Sequence, residues 1–172
     1  MVREPVVVAR PAAFALAASR LVLGLIFLWA FLDKLFGLRY TTPPERAWLE
    51  GGEPTRGYLS SSFGPLEDLF QGMAGNAVVD VLFMAGLLAV GLTMTLGIAV
   101  RLGGWSGCAM VLMMYASHPV PWMEPNGTHP FLDEHILEAT VFALIALTNS
   151  GDTWGLGRWW RAGPAKRAAW LQ

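Results

Sequence analysis

The residues best suited to move protons stand at the start of the last hydrophobic stretch of this chain. Asp133, Glu134, His135 and Glu138 follow one another closely there. On a helix, His135 and Glu138 share a face at i, i+3, and Glu134 and Glu138 share one at i, i+4. A charge in hydrocarbon is costly, so ionisable side chains in such a stretch normally face a bundle interior and mark a functional site. We therefore take this stretch as the candidate site.

A quinone is one ligand that such residues suit. Its site needs a donor to each ring oxygen, a group that moves protons, and an apolar slot open to lipid. Lys34, Tyr115 and His135 are the candidate donors, and Glu134 and Glu138 can move protons. The aromatic side chains that can line the ring are Trp29, Phe31, Phe83 and Phe131. We predict that Lys34, His135 and Glu138 form one interior cluster and are the reacting groups.

Metal, haem and disulfide chemistry are not expected. A di-iron bundle uses two Glu-x-x-His motifs and two further glutamates, whereas this chain has one such spacing, His135-x-x-Glu138, in reverse order. No two histidines stand mid-span on separate predicted helices, as a haem held by two histidines would need. The single cysteine, Cys108, excludes an internal disulfide.

The composition indicates a membrane protein. Of the 172 residues, 54% are hydrophobic and 15% are charged, and the mean hydropathy is +0.44. A soluble domain carries about 25% charged residues. The net charge of -1 gives no reason to expect nucleic-acid binding. The lipid bilayer is therefore the expected partner.

The hydrophobic pattern predicts an all-α, four-span transmembrane bundle over residues 1–150. A short amphipathic helix is predicted at about residues 65–74, as an outer lid. Residues 151–172 mix tryptophans with basic side chains, which predicts an interfacial tail on an anionic leaflet. The predicted spans, each long enough or nearly so to cross the bilayer core, are at about residues 12–36, 77–100, 102–118 and 131–149.

The basic residues predict the orientation in the plasma membrane. They are concentrated before the first span, at Arg101 and in the tail, so both termini are expected in the cytoplasm. The outer end of the bundle then holds Asp33, Lys34, Asp80 and the site, while Arg20 lies in the inner half. Asp33 and Asp80 are also open to simpler roles, because acids near helix ends often reach water or interact with a helix dipole.

Several segments of the chain resemble the DoxX family of small bacterial and archaeal membrane proteins. The resemblance covers nearly the whole chain to about Asn149. It is carried by Arg20 to Gly24 with Phe27, Leu28, Lys34 and Leu35, by Gly52, Pro54, Thr55, Gly57, Tyr58 and Leu59, by Gly64, Pro65 and Met73 to Gly75, and by Pro130 to Asp133 with His135.

This resemblance implies a four-helix membrane bundle with a redox-associated role. Relatives in the family include the membrane subunit of thiosulfate:quinone oxidoreductase, and others are linked to redox and thiol-stress complexes. It implies that Arg20, Lys34, Asp133 and His135 are family-type positions. Glu138 departs from the family, where an aromatic or apolar residue is expected.

Three functional hypotheses follow from the residues and the resemblance together. The first is the membrane subunit of a quinone-linked oxidoreductase acting on a reduced sulfur compound with a partner protein or as a homo-oligomer. Its quinone-binding residues are predicted to be Arg20, Trp29, Phe31, Tyr115, Phe131 and Glu134. The second is a non-catalytic anchor or assembly partner for a redox protein. The third, a small-solute carrier, is disfavoured because no inverted repeat or broken mid-span helix is visible.

Overall fold

The computed structural model describes residues 10–118, 129 and 131–163, and over these residues it contains seven α-helices and no strand. The expected all-α class is thus confirmed for the described part of the chain. Short 3-10 turns cover Pro44–Arg46, Trp48–Glu50 and Ser150–Asp152. The α-helices are α1 (Arg10–Phe36), α2 (Arg56–Ser60), α3 (Glu67–Met73), α4 (Ala77–Leu96), α5 (Val100–Ser117), α6 (Glu134–Leu147) and α7 (Gly157–Ala162).

Local sequence signals set the ends of the central helices. The side chain of Asn76 caps α4 by accepting from Val78 N at 2.9 Å. Gly97, with a φ of +71°, ends the same helix in the left-handed conformation that glycine favours. The turn to α5 is very short, and Arg101, which the sequence placed at that turn, lies inside α5 instead.

The four long helices pack side by side in an up-and-down arrangement. α1 packs mainly along α4 and α5 along α6, while α4 also packs on α5 and α1 touches α6 more narrowly. Phe27 and Phe142 meet edge to face at the centre, with ring centroids 5.3 Å apart. Gly107 lies so close to the Phe142 ring that an added Cβ would collide with it. We call the end where α1 and α5 finish the outer end, and the opposite end the inner end.

Two of these helices, α1 and α4, are long and apolar enough to cross a membrane. α5 has 18 residues and α6 has 14, which correspond to about 27 and 21 Å of helix. The hydrocarbon core is about 30 Å thick, so α5 and α6 are shorter than an ordinary span. The structure thus contains two candidate spans among the described residues where the sequence predicted four.

All four long helices nevertheless turn large apolar side chains outward. A soluble bundle would place charged and polar residues on these faces. Those with a markedly exposed side chain include Val22, Leu25, Ile26 and Leu32 on α1, Val81, Leu82 and Leu92 on α4, Leu102, Trp105, Leu112 and Met113 on α5, and Leu137, Leu144 and Leu147 on α6.

Two buried aspartates hold the connection between α1 and α4 against the outer end. Asp33, 1% exposed, accepts from Tyr40 N at 3.1 Å, from Thr41 N at 3.0 Å and from Thr41 Oγ1 at 2.6 Å. Asp80, 4% exposed, accepts from Thr55 N at 2.9 Å and from Thr55 Oγ1 at 2.6 Å. The simpler interpretation, in which these acids reach out to water, is therefore wrong. Both carboxylates are structural acceptors for loop threonines.

The predicted lid corresponds to α3, which lies on the surface of the structure. No residue of α3 is buried, and the Leu69 side chain on it is 58% exposed. Gln71 Nε2 donates to Ser62 O at 2.8 Å and ties the helix to the loop before it. The apolar face of α3 is thus largely turned outward from the bundle.

Candidate functional site

An aspartate–histidine pair stands at the start of α6. Asp133 caps the helix by accepting from Ile136 N through Oδ1 at 3.2 Å. Its other oxygen, Oδ2, lies 2.8 Å from Nδ1 of His135. Both side chains are largely buried, with 9% of Asp133 and 15% of His135 exposed. The carboxylate fixes the imidazole tautomer with a proton on Nδ1, so Nε2 is left as the basic nitrogen.

The predicted acids follow the pair along α6. Glu138 is half-buried, and the charged groups that act on it are His135, Glu134 and Asp133. Glu134 is exposed in the first turn. The structure therefore brings His135, Glu134 and Glu138 together as predicted from their helical spacing.

A second histidine, His118, lies directly after α5 in a pocket of hydroxyl groups and rings. Its Nδ1 is 3.0 Å from Ser117 Oγ, and its Nε2 is 3.4 Å from Ser61 Oγ. The ring of Tyr58 lies 4.4 Å away between centroids, and that of Phe63 lies 5.0 Å away in an edge-to-face contact. Three of these neighbours come from the connection between α1 and α4, which folds over the end of α5.

Electrostatics link this pocket to the start of α6. Burial lowers the pKa of His118, and the nearby charge of His135 lowers it further. Burial raises the pKa of Tyr58, and the negative charges of Asp133 and Glu134 add to that rise. The five ionisable residues Tyr58, His118, Asp133, His135 and Glu138 thus share one region of the outer end. We call them the outer cluster.

Sequence reasoning missed Tyr58 and did not include His118 among the site residues. Tyr58 lies in the short helix α2, where no periodicity of the transmembrane kind marks it. His118 stands at the end of the third predicted span, directly before Pro119. The available signal was the position of His118 at the outer end of a predicted span, level with the start of the last one.

Lys34 is half-buried near the end of α1, and the charge that acts on it is that of its neighbour Asp33. In the described part of the chain, no hydrogen bond or ion pair joins Lys34 to His135 or Glu138. His135 and Glu138 are linked on α6 by the interaction of their charges, and the cluster of these two residues with Lys34 stays a prediction.

The aromatic residues predicted to line a quinone ring lie in different places. Trp29 is half-exposed and meets Tyr40 edge to face, at 6.1 Å between centroids. Phe31 packs against the buried core between the helices. Phe131 is exposed near the outer cluster, where Tyr115 Oη donates to its carbonyl oxygen at 2.9 Å. Of the predicted lining, Tyr115 and Phe131 are thus the two that the structure places together beside α6.

Arg20, predicted among the quinone-binding residues, is completely buried at the inner end. Its guanidinium donates to Met94 O, and to Thr95 O at 3.3 Å, on the last turn of α4. It also donates to Thr153 O at 3.2 Å and to Trp154 O at 3.0 Å. These bonds satisfy carbonyls at a helix C-terminus, where positive charge is favourable. They are structural contacts, and a role in quinone binding stays a prediction for Arg20.

The outer cluster contains groups that can exchange protons. It combines an oriented imidazole, a second imidazole whose pKa burial lowers, a phenol and carboxylates. Among the described residues, no group of three or more His, Cys, Asp or Glu is arranged to hold a metal ion. Comparisons with protein-family models, with curated proteins and with solved structures found no match for the chain.

Proposed function

We propose that this protein is the membrane subunit of a quinone-linked oxidoreductase or redox-stress complex, and that protons are exchanged at its outer cluster. The observation that carries the proposal is the Asp133–His135 pair at the outer end of an apolar bundle. A carboxylate that orients a histidine is the usual way to present a base with a defined free nitrogen. Such a base can take a proton from a bound molecule, or return one to it, when that molecule reacts.

The donor set of the outer cluster fits a quinone head group. Nε2 of His135 is suited to accept the proton of a quinol hydroxyl, and the hydroxyl of Tyr58, which donates to Met114 O at 3.2 Å in the structure, is suited to turn to the other oxygen. Glu138 is suited to hold a proton nearby. A bound quinone would supply a carrier of two electrons and two protons, while this chain would supply the hydrogen bonds and the proton path. The neighbouring apolar residues Tyr115 and Phe131 support the same location.

The electrons must come from a partner, because the sequence has one cysteine and no expected metal or haem site. The substrate class rests on the resemblance to DoxX proteins, whose relatives act with reduced sulfur compounds such as thiosulfate. We therefore extend the proposal to a complex in which a partner protein oxidises such a compound. Its electrons would then pass to quinone at the outer cluster.

A multi-pass plasma-membrane location with both termini in the cytoplasm is part of the proposal. The outward apolar side chains of α5 and α6 support it. These two helices are shorter than an ordinary span, yet they expose apolar side chains of the kind that contact lipid. Aromatic residues near the two ends of the bundle also fit the interfaces of a bilayer. They are Phe14, Trp105, Trp154 and Trp159 near the inner end, and Trp29, Phe36, Tyr40 and Phe131 near the outer end.

A non-catalytic anchor for a redox protein is the second candidate, and close helix packing favours it. An added Cβ at Gly24 would lie 2.6 Å from Thr95 Oγ1, and one at Gly91 would lie 2.7 Å from Leu28. Phe142, Met84 and Ile145 are fully buried between the helices. An anchor needs such a solid core, and it would recruit its partner through the outer surface.

Photolabelling separates these two functions. The purified protein in lipid nanodiscs would be irradiated with a photoreactive quinone analogue, and labelled peptides identified by mass spectrometry. The proposal expects labels in the peptides around Tyr58 and around His135, competed by unlabelled quinone. His135→Phe should weaken the labelling, and His129→Phe, which changes an exposed histidine outside the cluster, should not. Labelling that excess quinone does not displace would overturn the quinone role and leave the anchor.

A further inference from the structure

We propose that His118 is a second proton-carrying residue of the outer cluster and that the Ser61 hydroxyl connects it to the outer water. The substrate of this relay rests on the proposed quinone function, but its hydrogen bonds are present without any ligand. Two serines flank the His118 ring, and each hydroxyl has a single proton to donate.

The Ser117 hydroxyl supports one tautomer of His118. In the structure it donates to Met114 O at 2.8 Å. While it keeps that bond, its Oγ, 3.0 Å from Nδ1 of His118, can only accept there. The relay therefore requires neutral His118 to carry its proton on Nδ1, with the lone pair of Nε2 facing Ser61.

Ser61 is placed to exchange one proton among three acceptors. Its Oγ lies 3.4 Å from Nε2 of His118, 2.9 Å from the carbonyl oxygen of Tyr58 and 3.2 Å from that of Gly57. When His118 is neutral, the hydroxyl can donate to Nε2. When Nε2 is protonated, it donates to Ser61 Oγ, and the hydroxyl proton turns to Tyr58 O. A short rotation of one hydroxyl thus serves both charge states.

Transfer to water needs no redox partner. The Nε2–H bond of His118 breaks as a new O–H bond forms on Ser61, and the original hydroxyl proton of Ser61 passes to a water molecule. Ser61 is exposed, so water reaches its oxygen. The reverse sequence loads His118 from outside. Atoms and charge balance in both directions, because one proton enters as one leaves.

The surroundings of His118 keep its proton transient. From α2 and the following loop it faces Tyr58 and Phe63, and from α6 it feels His135. The acids Asp133, Glu134 and Glu138 lie around His135 on the same helix. A positive charge on His135 disfavours a proton on His118.

Nitrogen NMR of ¹⁵N-histidine-labelled protein in nanodiscs tests the relay without quinone. The three histidines can be assigned by His118→Gln, His129→Gln and His135→Gln. We expect neutral His118 to carry its proton on Nδ1, and Ser117→Ala to shift it toward the Nε2–H tautomer. Ser61→Ala should keep the Nδ1–H form and slow proton exchange between the ring and water at least about tenfold. Ser60→Ala, an exposed neighbour, should change neither property.

An Nε2–H tautomer in the unmodified protein, or unchanged exchange in Ser61→Ala, would overturn the relay. These outcomes differ from failure of the quinone proposal. If competed photolabelling is absent but the His118 tautomer and the exchange rates are as expected, the quinone role is wrong and the relay stands. Normal photolabelling with the wrong tautomer would do the reverse.

Discussion

Asp80 and Thr55 are joined by two hydrogen bonds that meet on one carboxylate oxygen. Oδ1 of Asp80 receives the Thr55 backbone N–H at 2.9 Å and its hydroxyl at 2.6 Å. Both residues are buried, and Thr55 lies directly before α2. This contact fixes the short helix that carries Tyr58 over the end of α5. The outer cluster thus depends on a pair of residues that do not belong to it.

We expect Thr55→Val to destabilise the protein by about 1.5–3 kcal/mol, because a buried carboxylate loses a charge-assisted hydrogen bond. Thr55→Ser keeps the hydroxyl and should cost much less. Thermal unfolding in mild detergent measures both. The prediction is wrong if the valine and serine variants unfold at the same temperature.

Arg20→Met should reduce the yield of folded protein and leave the outer cluster intact. The change removes a buried cation that donates to Met94 O and Thr95 O on α4 and to two carbonyls after α6. Each hydrogen bond to a charged group contributes about 1.5–3 kcal/mol, so we expect a loss of at least about 3 kcal/mol.

Fluorescence-detected size exclusion gives the folded fraction of that variant. Arg158→Ala, which removes an exposed arginine at the same end, serves as the control and should fold normally. A normal yield of Arg20→Met with lost quinone photolabelling would show that Arg20 acts at a ligand and not in the fold.

The helices were predictable from the sequence because hydropathy and caps act locally. Asn76 and Asp133 each mark a helix start by a side-chain property that neighbours in sequence reveal. The predicted end of the second span, at about residue 100, lies beyond Gly97, where α4 ends. The face shared by His135 and Glu138 is likewise fixed by helical spacing alone. These parts of the site needed no tertiary information.

The remaining parts required contacts between segments that are distant in sequence. Nothing near Thr55 shows that it binds Asp80, and nothing near Tyr58 shows that it lies on His118. Arg20 is similar, since its partners Thr153 and Trp154 are more than a hundred residues away. Long connections that fold over a bundle carry no periodicity, so their placement depends on pairings that hydropathy does not encode.

Cysteine labelling tests the orientation. In a Cys108→Ala background, which removes the buried native thiol, we expect Ser60→Cys to react with an impermeant maleimide in intact cells. Ala162→Cys should react only after the membrane is opened. Both positions are exposed in the structure, so access to the reagent depends on the side of the membrane. The opposite pattern would move the outer cluster to the cytoplasmic face.

Acid should destabilise the protein through His118. Its pKa is lowered, chiefly by burial, from an ordinary value of 6.5. The folded state therefore binds this proton less readily than the unfolded state does. The contribution is fully present above about pH 6.5 and is lost as the pH falls through 6.5 toward the lower folded pKa.

Unfolding temperatures measured across that pH range check the sign. His118→Gln should flatten the pH dependence, and His129→Gln, at an exposed position, should leave it unchanged. Equal slopes in the unmodified protein and in His118→Gln would contradict the assignment.

Two double-mutant cycles test which charged groups at the outer end act together. The first pairs Asp133→Asn with His135→Gln, whose side chains are 2.8 Å apart and largely buried. Residues in direct contact show coupling energies of about 0.5–3 kcal/mol, and we expect this cycle to fall in that range. The second pairs Lys34→Met with Glu138→Gln, which no hydrogen bond or ion pair joins among the described residues. It tests the predicted participation of Lys34: a coupling energy in the same range would confirm it, and additive effects within about 0.5 kcal/mol would contradict it.

The same variants also test quinone binding. His135→Gln should abolish competed quinone photolabelling because the oriented base is lost. The predicted participation of Lys34 expects Lys34→Met to weaken the labelling as well, and labelling within about twofold of the unmodified protein would contradict it. Both measurements use folded protein, as judged by size exclusion. A strong coupling between Lys34 and Glu138, together with lost labelling in Lys34→Met, would place Lys34 in the site beside α6 and would show that the outer cluster as defined by its hydrogen bonds is incomplete.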